Sequence, residues 1–177
     1  MNQRSLLLKP RPSGAEARRT PGGRTRYGLL LGGGGALVLA GILHACFNLT
    51  FVVGASMMPT FATGDLLVVN KLAYRHREPR RGDIVVARYG AGLIVKRIVG
   101  LPAEEVEVNQ GRVYVNRAKL VETYPVAPGM LQIGRGRLEE GKYALLGDNR
   151  DIDGASMVHA IMPRERIVGK VIGSWRW

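Results

Sequence analysis

Three short segments carry residue types that could do chemistry. Gly54-Ala55-Ser56-Met57-Met58-Pro59-Thr60 sets a serine between small residues and a proline, just past an apolar stretch. Such a serine can present its hydroxyl on a turn, although serines beside Gly and Pro are ordinarily turn formers. Leu93 to Pro102 is an apolar run interrupted by Lys96 and Arg97. Strand alternation points Lys96 away from the side taken by Val95 and Arg97; a lysine so placed commonly snorkels to water. Gly147-Asp148-Asn149-Arg150-Asp151 follows a third apolar run and reads alone as a polar turn with a surface Asp–Arg pair. Each segment has an ordinary structural explanation, and only their combination points to a site.

The elements around them read as short strands. Phe51–Val53, Leu66–Val69, Asp83–Ala87, Leu93–Val99, Val106–Val108, Arg112–Val115, Tyr143–Leu146 and Ile167–Ile172 are the expected set. Asn109-Gln110-Gly111 joins two of them as a hairpin turn with glycine placed for positive φ. Pro and Gly recur at short spacing, and no strong amphipathic helix separates the strands. The pattern predicts an all-β domain of short antiparallel strands. Residues 122–140 show no period and are expected to be a loop.

The first 48 residues differ in texture. Of the net charge of +12, half sits in residues 1–27, which carry seven basic residues against the single acid Glu16. This stretch is rich in Pro, Gly, Arg and Thr and reads as a disordered tail. Residues 28–47 carry no formal charge, and twenty helical residues span roughly 30 Å, the thickness of a bilayer's hydrocarbon layer. A membrane span over residues 28–48 is expected. It reads as an uncleaved signal anchor rather than a cleaved signal, since His44 fits poorly in the lipoprotein-like Leu43-His44-Ala45-Cys46. Basic residues ahead of the span place the N-terminus in the cytoplasm and residues 49–177 outside it. That topology accounts for the charge, so no nucleic-acid partner is expected. Cys46 is the sole cysteine, which excludes an intrachain disulfide. His44, His76 and His159 lack ligand spacing, and no metal site or phosphate-binding glycine loop is evident.

Taken together and in order, these segments resemble the bacterial type I signal peptidases, a family of membrane-bound serine proteases with a Ser-Lys catalytic pair. The resemblance runs over residues 28–177. Ser56-Met57-Met58-Pro59-Thr60 matches the serine box, and Lys96-Arg97-Ile98-Val99-Gly100-Leu101-Pro102 the lysine box. Gly64 to Tyr74 and Arg81 to Val86 match the segments between them. Gly147 to Asp151 opens the last box, and Pro163 with Ile167-Val168-Gly169-Lys170 closes it. The resemblance implies Ser56 as nucleophile and Lys96 as general base. Lysine serves as a base only when neutral; bringing its pKa from about 10.4 to near 7 takes about 4–5 kcal/mol of differential interaction, which burial can supply. The backbone N–H groups of Ser56 and Gly54 would stabilise the oxyanion, with no side chain at Gly54 to add a hydroxyl. Arg97 and Asp148 would form a salt bridge that positions the lysine. Val52, Met57, Phe61, Ile94 and Val95 would line shallow apolar pockets for the small residues that precede the cut.

The implied function is removal of signal peptides from exported preproteins after Ala-x-Ala-type sites, at the bacterial cytoplasmic membrane, by a monomer needing no cofactor. The last box departs from the family pattern. Aligning on Pro163 puts Asp153 where a serine bonding the lysine is usual, and Ala155-Ser156-Met157 in place of an Asp-Ser-Arg run. An aspartate there favours the ammonium; base action then needs Asp153 turned away or Ser156 in its stead, and activity would otherwise be low. A specialised peptidase, such as one maturing pilins for a transfer system, and an inactive signal-peptide-binding relative are the competing functions. Lys96 in place of histidine fits a bacterial or organellar branch, and the Arg-rich start also fits a transit peptide.

Overall fold

The computed structural model describes residues 37–151 and 161–176. The 1–27 tail and the first part of the expected 28–48 anchor lie outside these residues. Residues 37–39 belong to an N-terminal unit, and the chain from Ala40 onward forms a second, compact unit. Residues 37–46 are helical. Among the described residues no helix is long and apolar enough to cross a membrane.

The helix hands directly to a strand. β1 (Phe47–Phe51) pairs antiparallel with β2 (Leu66–Asn70). The expected strand at Phe51–Val53 is thus displaced toward the N-terminus. The alternation Phe47-Leu49-Phe51 was masked in the sequence by the apolar run ahead of it. Val52 continues the pairing through two backbone hydrogen bonds, Val52 N–H to the Asp65 carbonyl and Gly64 N–H to the Val52 carbonyl, both 2.9 Å.

β3 (Ile84–Tyr89), β4 (Gly92–Gly100), β9 (Lys142–Leu146), β10 (Ile161–Pro163) and β11 (Ile167–Trp175) complete a seven-stranded antiparallel sheet of order β1-β2-β11-β3-β4-β9-β10. A second sheet holds β5 (Glu105–Asn109), β6 (Arg112–Val115), β7 (Ala118–Lys119) and β8 (Ile133–Arg137) in the order β7-β6-β5-β8. All strand pairs are antiparallel, so the domain is mainly β as the sequence pattern requires. β8 falls within the stretch expected to be loop. Its sequence Ile-Gly-Arg-Gly-Arg is exposed along almost its whole length and offers no buried face to read.

Period-2 alternation explains how the first sheet buries both faces. Along β3, Val85 and Ala87 pack with Ile98, Tyr143, Leu145, Met162 and Ile167, while Ile84 and Val86 pack with Val52, Met57, Phe61, Leu67, Val69 and Val171. A third cluster ties the sheets together: Val99, Ala144 and Leu146 meet Val106, Val108, Val113, Leu131 and Leu138. The second of these clusters lies under the serine segment and anchors it.

Candidate active site

Ser56 sits on the turn that leaves β1, and the sequence holds that turn from both sides. Met57 is buried in the core, and its carbonyl accepts from Phe61 N–H at 2.8 Å. From the other side comes the loop after β9. Asn149 N–H donates to the Ser56 carbonyl at 3.1 Å, and Asn149 Nδ2 to the Ala55 carbonyl at 3.2 Å. Gly147 allows this approach: a Cβ there would lie 2.2 Å from the Ser56 carbonyl oxygen. The glycine of that box is required by contact with the serine turn.

Lys96 lies on β4, paired across the sheet with Val85. Only 8% of it is exposed. Burial pushes the Lys96 amine below its ordinary value of 10.5, and the Asp148 carboxylate pulls partly the other way. Ser56 and Lys96 line one cleft of about 150 Å³, walled also by Thr50, Phe51, Val52, Val53, Met57, Val86, Leu93, Ile94 and Val95. Four of the five expected substrate-contact residues are therefore in its wall. Phe61 is not; it is buried beneath Val52 and Met57 in the same apolar cluster.

Arg97 and Asp148 form a buried two-pronged pair, Nε to Oδ1 at 2.8 Å and Nη2 to Oδ2 at 2.6 Å. Arg97 Nη1 also donates to the Gly82 carbonyl at 3.0 Å, and the Thr60 hydroxyl to Asp148 Oδ2 at 2.5 Å. The carboxylate that could hold a proton on Lys96 is thus largely committed to a guanidinium. Gly54, at φ +98°, takes a conformation that L side chains resist. Its N–H donates to Thr63 Oγ1 at 3.1 Å, and that hydroxyl donates back to the Gly54 carbonyl at 3.1 Å. The second oxyanion donor expected from the sequence is thus engaged inside its own loop here. Asp153 and Ser156 lie outside the described residues.

The sequence did not flag a strap over residues 122–129 that braces this loop. Ala127 N–H donates to the Asp148 carbonyl at 2.9 Å, and Arg150 N–H to the Ala127 carbonyl at 3.1 Å. Arg150 is fully buried; it donates to the Gly147 carbonyl at 2.8 Å, to the Gly111 carbonyl at 2.6 Å, and to Glu122. The Arg97 guanidinium stacks 3.8 Å from the Tyr124 ring centre. No periodicity marks Glu122 or Tyr124, so only the folded chain reveals them. A wider, open depression of about 600 Å³ flanks the strap between Gln110 and Pro128, but neither Ser56 nor Lys96 lines it. No group of His, Cys, Asp and Glu able to hold a metal ion occurs among the described residues.

Comparison with known proteins places the chain in a family. Residues 29–177 match the family described as "Signal peptidase, peptidase S26". A probable signal peptidase I-2 from Synechocystis sp. is 38% identical over 144 residues, 76% of this chain and 66% of its own length. A signal peptidase I from Leptolyngbya laminosa is 34% identical over 148 residues, 77% of this chain and 73% of its own length. The crystal structure of a signal peptidase I from Enterococcus faecalis is 25% identical, covers 54% of this chain and 97% of its own, and gives a TM-score of 0.40. With a matched segment that takes in every described strand and both ends of the cleft, the chain belongs to the signal peptidase family, peptidase S26.

Proposed function

We propose that this chain is a membrane-anchored signal peptidase I, a serine endopeptidase that removes signal peptides from exported preproteins after small residues. Ser56 is the nucleophile and Lys96 its base. The observation that carries this reading is a buried lysine, its proton affinity lowered by desolvation, lining the same cleft as a turn-borne serine.

The chemistry runs in two halves. As Ser56 Oγ attacks the scissile carbonyl, its proton passes to the Lys96 amine, and the carbonyl oxygen becomes an oxyanion stabilised by the Ser56 N–H. The Lys96 ammonium then protonates the leaving amine, which frees the mature protein and leaves the signal peptide esterified to Ser56. Lys96, neutral again, deprotonates a water that hydrolyses the ester. Val52, Met57, Ile94 and Val95 leave little depth beside Ser56, which supports a preference for Ala-sized residues through steric exclusion.

The apolar segment at residues 28–48 supports an anchor, with the seven basic residues before it cytoplasmic and the β domain on the far side of the membrane. The anchor would raise the local concentration of membrane-delivered substrate. The test is cleavage of a labelled preprotein carrying an Ala-x-Ala site, in detergent or vesicles. Ser56→Ala and Lys96→Ala are each expected to lower the rate by at least about 10³-fold while leaving the thermal melt cooperative. Full activity in either variant would reject the Ser-Lys assignment. Substrate bound but uncut by the unsubstituted protein would favour the inactive relative.

A further inference from the structure

The Arg97–Asp148 pair stands between the strap and Lys96, and its geometry depends on what lies behind it. Arg97 has a carboxylate at the edge of its guanidinium and the Tyr124 ring over its face, 3.8 Å from the guanidinium carbon to the ring centre. Stacking of this kind stabilises a cation and also fixes the plane of its fork. The ring is itself held at two points. Its hydroxyl donates to Glu122 Oε1 at 2.7 Å, and Glu122 bridges to the buried Arg150. Three residues on, the Ala127 backbone is hydrogen-bonded to both Asp148 and Arg150.

We propose that Tyr124 is a positioning residue for the peptidase reaction: its ring fixes the plane of the Arg97 fork so that it stays paired with Asp148, and the carboxylate is thereby kept from pairing with Lys96. This inference rests on the assignment of Lys96 as base. Among the described residues the groups around Lys96 leave Asp148 as the anion that matters. β3 presents Val85 and Val86, the far wall of the cleft presents Thr50, Val52, Val53, Ser56 and Met57, and Arg97 is the neighbouring cation. With Arg97 loosened, Asp148 is less neutralised and a nearby positive charge moves off. Both changes favour the lysine ammonium, in the same direction as the pull that Asp148 already exerts.

The experiment is the pH dependence of kcat/KM for preprotein cleavage by the full-length protein. Tyr124→Leu is expected to move the acid limb upward, with a loss of about 3- to 10-fold at pH 7 that disappears toward pH 9.5. Tyr124→Phe loses the hydroxyl bond to Glu122 but retains the stacked face and the backbone ties of the strap at Ala127, and should follow the unsubstituted profile. A loss in Tyr124→Leu that is equal at every pH would show a merely structural role and overturn the proposal. So would an unshifted profile in Tyr124→Leu, or a shift in Tyr124→Phe as large as in Tyr124→Leu. Should Tyr124→Leu fail to give a cooperative melt, Tyr124→Met carries the same expectation, and a displaced acid limb in Tyr124→Phe overturns the proposal by itself. Failure of the underlying reading is separable, because Ser56→Ala or Lys96→Ala would then remain active. If both are dead and the Tyr124 profiles coincide, the positioning role alone is wrong.

Discussion

The loop at Gly147–Arg150 and the open face of the second sheet both carry Arg–carboxylate pairs, yet the pairs do different things. In the loop, Asp148 and Arg150 are fully buried, and Arg97 is 6% exposed. Every one of these groups has several partners, drawn from the serine turn, β4, the strap and the β5–β6 hairpin turn. On the second sheet, Arg117 and Arg135 reach Glu105 and Glu107 with the arginine side chains largely in water. Charges removed from solvent must be satisfied completely, and their geometry becomes rigid. Charges left in solvent keep their freedom and contribute little. The difference explains why one set can shape the surroundings of a buried amine and the other only decorates a surface.

The comparison is most sharply broken at its buried end. Asp148→Ala strands Arg97 and the Thr60 hydroxyl, and is expected to destabilise the fold by about 3–5 kcal/mol, read from urea unfolding. Cleavage should fall with it, by at least about 100-fold under conditions where the variant is still folded. An unfolding midpoint like that of the parent would mean that this pair is no more anchored than those on the second sheet.

A smaller effect of opposite sign tests the same region. The Lys96 pKa is lowered in the folded protein, so burial opposes the ammonium. Between that lowered value and the ordinary 10.5, the unfolded chain binds more protons than the folded one, and stability rises with pH through this window. The penalty is complete below the folded pKa and absent above the unfolded one. Lys96→Met is therefore expected to be inactive yet more stable than the parent at neutral pH, with the gain in Tm fading as pH approaches 10.5. A gain that stays constant with pH would assign it to packing instead of charge.

The smallest effect is expected on the second sheet. Arg117→Ala removes a 3.4 Å contact made by a side chain that is 77% exposed. Its unfolding midpoint and cleavage rate should both match the parent within error. A clear loss would show that the open sheet is coupled to the cleft.

The sequence made legible whatever repeats or sits in a buried alternation. β2, β3, β4, β6 and β9 fall where apolar runs between turn residues place them, because at least one face of each is covered. β8 and β10 were invisible for opposite reasons: β8 has almost no buried face, and β10 has three residues ending in a proline. Ser56 and Lys96, which share a cleft, and Arg97 and Asp148, which pair, were picked out because their neighbours form motif boxes. Glu122 and Tyr124 were not, since the strap is held by side chains of residues 25 or more positions away, which leave no local pattern. Asp153, Ala155 and Met157, where the last box departs from the family, and Ser156 between them fall outside the described residues.

The direct passage from helix to β1 sets a limit on reach. Ten positions separate Cys46, the last helical residue, from Ser56. A fully extended chain of that length spans at most about 35 Å. The Ser56 hydroxyl is therefore on a short leash, and its tether is an edge strand rather than a flexible linker. A scissile bond held farther than that from the end of the helix is beyond it, however well its side chains fit. Under the membrane anchor proposed above, distance from the helix end, and not side-chain fit alone, would then sort which peptides can be cut.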